Sequence, residues 1–493
     1  MMEKPPHIVL LVLDTVGAKH LSLYGYPRPT TPNLEKIAQE CTVFTRCFAP
    51  ACWTVPSHAS MFTGLYPGQH GAYEKRYVLE ENRPHLVSLL KASGYRTLGI
   101  SANGAVSPAT GLCRDFDEFL DLGKEDLNHL VGREQAEVSR SLKAGVAESL
   151  KQALTPAQAG RQALGHLKEP GNWRELLKTG LSVGATQVRK YLYPGPLDNA
   201  TPYTKKTLRW LKRWLGQQKA DSPPFFLFVN FFQAHHHYRP PLRWRRFSRW
   251  YHRSHVSPLR FYSRRPAPAL TRLIARYTDL YDDEIFYLDS VLGKVWALLR
   301  ESPGFADTVL IITSDHGEHL GEKGHYTHIL SLYNELLWVP LLIRYPEKWK
   351  GAGQVDERLV SLTDLYATIL DLVDSPFPRP ETSVSLLGPP RRQAVVAQCL
   401  SPEIWRRPLV ELEKSHQAQG QRFSPPVFAV ITAEGTKVIS KRDGSLEIYD
   451  LRGGIWEDRD LAKEISPGRL SHYRDLVESW KALTGFRKVE DRM

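Results

Sequence analysis

Apolar positions in the first 375 residues fall into short, nearly continuous runs separated by segments of helical period. The runs Ile8–Leu13, Arg96–Ser101, Phe225–Asn230, Thr308–Thr313 and Val339–Ile343 each end at or just before a polar or small residue. Such runs suit strands buried on both faces. Between them the spacing predicts helices over Pro32–Glu40, Ser57–Thr63, Pro84–Ala92 and Asp282–Arg300. The alternation predicts an α/β fold, a large and mainly parallel sheet sandwiched by helices. Functional groups in such sheets gather beyond the carboxyl ends of the strands. Asp14, Asn103, His235 and Asp315 all lie shortly after a predicted strand.

Two segments interrupt the rhythm. One is a Lys/Gln/Ala-rich, helical insertion at about 122–195, and the other an Arg-rich insertion at about 239–270. Ser375–Arg392 is Pro-rich and reads as a linker, dividing a domain of residues 1–375 from a smaller C-terminal α/β subdomain of residues 376–493. In the latter, Val427–Thr432, Lys437–Ile439 and Leu446–Tyr449 alternate as strands do, and a helix is predicted near Leu470–Leu483.

Composition narrows the class. At 42% apolar and 24% charged residues the chain is globular rather than disordered. Lys+Arg exceed Asp+Glu by 65 − 53 = 12, which points to anionic partners. Arg239 to Arg265 holds nine Arg and no acidic residue, interleaved with aromatics as in Arg243-Trp244-Arg245-Arg246-Phe247. That stretch suits an electrostatic collar for a phosphate-rich substrate or a peripheral contact with anionic lipid or polymer. The alternative is a solvated loop with Arg stems packed on aromatics. Five Cys without a CxxC pair make neither a disulfide scaffold nor a thiolate zinc site. The apolar run at Ile8–Leu13 is too short for a signal segment, and Pro223–Phe232 is about half a membrane span. The expectation is a cytoplasmic protein, with peripheral membrane contact left open.

Three pieces carry candidate chemistry. Asp14 follows a strand and precedes Thr15-Val16-Gly17. Asp315-His316-Gly317-Glu318 follows another strand, and its oxygen and nitrogen donors suit Mn²⁺, Zn²⁺ or Mg²⁺. Thr54 stands at the turn before a helix expected to start near Ser57 and His58, where helix N–H groups favour an anion. Capping is the alternative for each piece.

Together these pieces resemble the sulfatase/alkaline-phosphatase superfamily. The ordered segments are Leu13-Asp14-Thr15, Tyr24-Gly25-Tyr26 with Thr31-Pro32-Asn33-Leu34, Pro56–Gly71, Phe231–Pro241, Asp315–Gly324, and Leu332-Tyr333 with Val339-Pro340-Leu341. A weaker similarity covers Leu446–Leu451. The resemblance implies one divalent metal (Mn, Zn, Mg or Ca) held by Asp14, Asp315 and His316, with Thr54 as a further contact. It aligns Thr54 with the nucleophile of the family's C/S-x-P-x-R motif and His58 with its Arg. Threonine cannot give the formylglycine aldehyde, because its β-carbon bears a methyl group, so no formylglycine is expected. The implied reaction is attack by Thr54 on a phosphate ester, giving a covalent intermediate released by water or an alcohol.

His58, His235 and His328 are the candidate catalytic histidines. His235 opens His235-His236-His237-Tyr238-Arg239-Pro240-Pro241, similar to the family's His-x-x-Tyr-x-Pro-Pro loop. Lys75, Asn103 and Arg239 are the candidate substrate-binding groups. Thr15 replaces a second metal-binding Asp of many relatives, which favours one metal over two, and the sequence shows no His/Asp set for a second zinc. The leading expectation is a metal-dependent phosphoester hydrolase or phosphotransferase. The alternatives are a sulfate-ester hydrolase without formylglycine, and an inactive member that binds an anionic polymer or membrane surface.

Overall fold

The computed structural model describes residues 5–73, 77–123, 201–219, 221–236, 238–249, 268–328, 330–346, 354–390, 392–400 and 426–487. The insertion expected at 122–195 lies outside these residues from 124 onward, as do Lys75, His237 and residues 250–267.

The large sheet holds eight strands: β1 (His7–Leu13), β2 (Thr42–Phe48), β3 (Arg96–Ser101), β4 (Glu118–Asp121), β5 (Phe225–Phe231), β6 (Thr308–Thr313), β7 (Leu341–Arg344) and β8 (Val355–Ser361). Their order is β8-β2-β7-β6-β1-β5-β3-β4. All pairings are parallel except those of β7 with β2 and β6. The expected mainly parallel sheet is therefore present, with its last predicted strand starting at Leu341 and running against the rest.

Strand β1 shows why continuous apolar runs are needed. All seven of its residues are buried. Ile8, Leu10 and Val12 enter the core on one face, whereas Val9, Leu11 and Leu13 enter the core on the other. Helices α1 (Pro32–Ala38), α2 (Thr54–Thr63), α3 (Leu86–Ala92), α4 (Thr201–Leu215), α5 (Pro268–Arg300) and α6 (Asp364–Leu372) cover the two faces. Residues of α2, α3 and α6 join the Ile8 face, and those of α1, α4 and α5 the Val9 face. No helix among the described residues is long and apolar enough to cross a membrane.

The starts of α5 and α2 differ from expectation by about a turn or more, that of α3 by two residues. Helix α5 begins at Pro268 rather than Asp282. Helix α2 begins at Thr54, after an extended Trp53, so Thr54 is its first residue rather than part of the preceding turn. Proline tolerates the first turn of a helix, because N–H groups there have no intrahelical acceptor. Pro56 therefore sits within α2 instead of marking its edge.

Buried carboxylates of α5 tie down the loops around it. Asp289 accepts from the backbone N–H groups of Asn33 and Leu34 at 2.9 and 2.8 Å, and so anchors the start of α1. Asp283 accepts from the N–H groups of Arg246, Phe247 and Ser248 at 2.7–2.9 Å. In the described part of the Arg-rich insertion, Arg243 lies over the Trp244 ring and Arg246 over Phe286. Here guanidinium groups lie over aromatic rings of the protein itself.

A second, antiparallel sheet follows: β9 (Ala394–Gln398), β10 (Pro426–Thr432), β11 (Thr436–Lys441) and β12 (Leu446–Asp450), with helix α7 (Pro467–Leu483). Its first strand reaches the segment that leads into α2. Gln398 bridges to Ala51, its N–H donates to the Pro50 carbonyl at 2.9 Å, and its Oε1 accepts from Gly68 N–H at 2.6 Å.

Candidate active site

Asp14 and Asp315 occupy the ends of adjacent parallel strands, β1 and β6, and both are fully buried. Backbone geometry brings them together. Thr15, at φ 60°, turns its N–H to Asp315 Oδ1 at 3.2 Å, and Val16 N–H donates to Ser314 Oγ at 3.0 Å. Tyr281 of α5 fastens this turn by donating to Thr15 O at 2.6 Å and accepting from Gly17 N–H at 3.1 Å. Gly317 is required here, because a Cβ at that position would lie 2.0 Å from the Glu335 carbonyl oxygen.

Helix α2 brings the hydroxyl. Ser57 donates to the Asp315 carbonyl at 2.6 Å and clamps the first turn of α2 to the end of β6. Thr54 Oγ1 then lies 3.3 Å from His316 Nε2. His316 Nδ1 donates to Gly317 O at 2.9 Å, so the ring presents Nε2, which is also 3.3 Å from Asp315 Oδ2. Asp14 Oδ2 accepts from Asn103 Nδ2 at 2.6 Å, with Asn230 Nδ2 at 3.5 Å.

The remaining carboxylate oxygens, Asp14 Oδ1 and Asp315 Oδ2, are buried without a hydrogen-bond partner. Burial, then the Asp315 charge, pushes the Asp14 carboxyl up to about 7. Burial pushes Asp315 up to about 7 as well, against the hydrogen bonds from Thr15 and His316. Donor atoms of Asp14, Asp315 and His316 lie within 4.8 Å of one another. Two carboxylates and an imidazole that lack a compensating charge form a donor set that fits a divalent cation.

The other expected site residues divide. His58 is fully buried one turn below Thr54. Its Nδ1 donates to Thr54 O at 3.0 Å, and burial pulls the ring down to about 3, so it is neutral at pH 7. Asn103, expected to bind substrate, instead commits its amide to Asp14, and its Oδ1 accepts from Ala105 N–H at 2.8 Å. Arg239 is half-buried, its backbone N–H on Glu284 Oε1. Lys75 falls outside the described residues.

His328 joins the site, its ring 4.7 Å from that of His316. His235 stacks on Phe232 at 4.3 Å and lies 4.9 Å from His328. Burial, then the charges of His236 and His328, holds His235 well below the usual imidazole range. His328 is also lowered by burial, opposed by Glu318. Burial alone would raise Glu318. The charges of His328 and His236 and the hydrogen bonds from both outweigh it and hold the carboxyl well below the usual carboxylate range.

A family model for sulfatases matches residues 6–375. The chain belongs to the sulfatase family.

Mouse steryl-sulfatase is 26% identical over 428 residues, covering 76% of this sulfatase-family chain and 63% of that protein. The match thus spans less than two thirds of that relative's length. The multifunctional alkaline phosphatase superfamily protein PehA of Trinickia caryophylli is 26% identical over 423 residues, covering 77% of this chain and 76% of its own. Among solved structures, a putative sulfatase from Bacteroides thetaiotaomicron aligns at a TM-score of 0.66 and 16% identity, covering 98% of this chain and 93% of its own. The phosphonate monoester hydrolase of Agrobacterium radiobacter aligns at 0.65 and 19%, covering 97% and 96%. Both share the fold.

Within this sulfatase-family site the sequence reading missed Glu318, Asn230 and Tyr281 as participants, and it gave His236 little weight. Glu318 had a usable signal, its place three residues after Asp315. Tyr281 had none, since it reaches the site from the middle of a long helix. The sequence showed no His/Asp set for a second metal, yet the fold draws ligand atoms of His235, His236 and His328 within 4.8 Å of one another.

Proposed function

We propose that this sulfatase-family chain is a metal-dependent hydrolase of phosphate or sulfate esters that uses Thr54 Oγ1 as its nucleophile. The observation that carries this reading is the convergence of two unpartnered buried carboxylate oxygens and His316 Nε2 beside the Thr54 hydroxyl. The relatives named above, a steryl-sulfatase and an alkaline phosphatase superfamily protein, support both ester classes.

Asp14, Asp315 and His316 would hold the cation, with Thr54 Oγ1 as a further contact. When bound, such a cation makes a hydroxyl more acidic and polarises an ester oxygen. The protein's own groups do the rest. Asn103 fixes the Asp14 carboxylate, and the Gly317 carbonyl fixes the His316 ring. Thr54 is the first residue of α2, and a helix N-terminus favours the negative charge that develops near Oγ1. His58, neutral and tied to Thr54 O, sets the height of that turn and is a positioning residue. In the first step Thr54 gives up its hydroxyl proton as its oxygen bonds to phosphorus or sulfur, the bond to the ester oxygen breaks, and the departing alkoxide takes up one proton to leave as an alcohol. Water then cleaves the covalent intermediate. His235 and His328 face the charge on the ester oxygens.

The test compares aryl phosphate and aryl sulfate turnover by the full chain and its Thr54→Ala variant, before and after chelation. Turnover should vanish in both treatments, and a phosphoryl or sulfuryl group should be trapped on the Thr54 peptide. Full activity in Thr54→Ala would overturn the reading, and the faster ester decides the substrate class.

A further inference from the structure

Glu318 lies among His328, Tyr238 and His236. Its Oε1 is 3.2 Å from His328 Nδ1. Its Oε2 accepts from Tyr238 OH at 3.0 Å and is 3.8 Å from His236 Nδ1. His235 directs its own Nδ1 to the His236 carbonyl at 2.7 Å. A carboxylate and a carbonyl only accept, so Nδ1 of His328 and of His235 must carry the proton. In a neutral ring Nε2 is then left with a lone pair. The three rings are packed 4.5, 4.9 and 5.3 Å apart, a spacing at which three imidazolium ions would repel strongly. Imidazoles with the far nitrogen pinned by a carboxylate or a carbonyl are oriented as metal ligands are.

We propose that His235, His236 and His328 form a second cation site, selective for Zn²⁺, Co²⁺ or Cu²⁺ and adjacent to the Asp14/Asp315/His316 pocket, with Glu318 as the carboxylate that orients its ligands. Three neutral nitrogens favour these ions over Mg²⁺ and Ca²⁺, which prefer oxygen. Three protein ligands leave a fourth position for a substrate oxygen or water. The 4.7 Å separation of the His316 and His328 rings makes the two sites neighbours. The inference rests on the reading above for its role. Charge on the ester oxygens is then met by a cation held by His235 and His328 rather than by protons on them. The site itself does not depend on Thr54.

The full chain, stripped by chelation, is titrated with Co²⁺, and bound cobalt and its visible absorption are read together. The wild type should take up two equivalents. Asp14→Asn/Asp315→Asn should keep one, with the strong absorption of a four-coordinate nitrogen site that a large excess of Ca²⁺ leaves in place. His235→Ala/His236→Ala should lose that equivalent and keep the other, and Glu318→Gln should weaken it about 10–100-fold. Uptake by the wild type of a single equivalent that Asp14→Asn/Asp315→Asn abolishes, or unchanged uptake by His235→Ala/His236→Ala, would overturn the proposal. If the carboxylate pocket alone is misread, Asp14→Asn/Asp315→Asn binds as much cobalt as the wild type while the histidine variant still loses its equivalent. Should the double alanine variant fail to fold by circular dichroism, Glu318→Gln decides, and unchanged affinity there overturns the proposal.

Discussion

Lys437 and Asp14 are both buried charges, but their surroundings differ. Lys437 Nζ donates to Leu332 O, Asn334 Oδ1 and Glu457 Oε1 at 2.6–2.7 Å, one acceptor for each of its hydrogens. Glu457 in turn accepts from Asn334 N–H. Asp14 and Asp315 share their enclosure with each other and leave one oxygen apiece without a donor. The Lys437 cluster joins β11 to the loop before Leu336 and is complete within the protein. The Asp14 cluster leaves these two oxygens open, as the proposed cation site needs. Buried unsatisfied polar atoms are rare in folded proteins, so where they concentrate they mark chemistry rather than architecture.

The sharpest way to test this difference is at the hydroxyl. Thr54→Ala should lower kcat on the preferred ester by about 10³-fold or more, and Thr54→Ser should keep part of it. Thermal melting should be nearly unchanged in both. Next comes Lys437→Met, which strands Glu457 in the interior and should cost about 3–5 kcal/mol in urea unfolding. Adding Glu457→Leu should restore most of that, and a loss below about 1 kcal/mol for the single variant would erase the contrast.

A smaller effect of opposite sign is expected at Asp14. Its folded pKa, near 7, lies above the ordinary carboxylate value, so the unfolded chain binds fewer protons between about pH 4 and 7. The penalty of the ionised form is absent below pH 4 and complete above pH 7. In chelator-treated protein Asp14→Asn should therefore be about 1–3 kcal/mol more stable than wild type at pH 8 and no more stable at pH 4. Equal stability at both pH values would mean that burial of Asp14 is not a penalty.

The smallest effect concerns the neutral histidines. Burial pulls His85 down to about 4, followed by the Arg114 charge. The unfolded chain therefore takes up a proton at this site as pH falls below about 6.5, and stability declines through that window down to about pH 4. His85→Gln should reduce the decline by roughly 1 kcal/mol per pH unit, read as the difference between wild-type and variant urea midpoints at pH 6 and 5.

The central strands were legible because burial on both faces leaves an uninterrupted apolar run, as in β1, β5 and β6. Of the missed strands β2, β4 and β8, the last two lie at the sheet edges, where β8 alternates exposed and half-buried positions over Val355–Arg358 and carries three charges; β2 lies inside the sheet, its run broken by Thr45 and Arg46. Asp14, Asp315 and His316 were legible because each ends or follows such a run. The start of α2 was misplaced because Pro56 looks like a boundary while the deciding feature is the extended backbone of Trp53. Asn103 was legible by its position after β3, but only the fold shows that its amide meets Asp14. The histidine cluster was invisible for a different reason. His236 and His328 are 92 positions apart, and nothing local announces that their rings lie 5.3 Å apart.

The sulfatase-family match ends at residue 375, but the hydroxyl does not stand on the matched part alone. The peptide that leads to Thr54 is held by the main chain of Gln398, whose side-chain amide accepts from Gly68 N–H and donates to Thr484 Oγ1, at the close of α7, at 2.9 Å. A chain shortened to residue 375 would keep both carboxylates and lose this brace behind Thr54. If Thr54 acts as proposed, such a fragment should still capture a cation yet turn over substrate poorly, and the last quarter of the polypeptide would then serve the reaction by fixing where the hydroxyl stands.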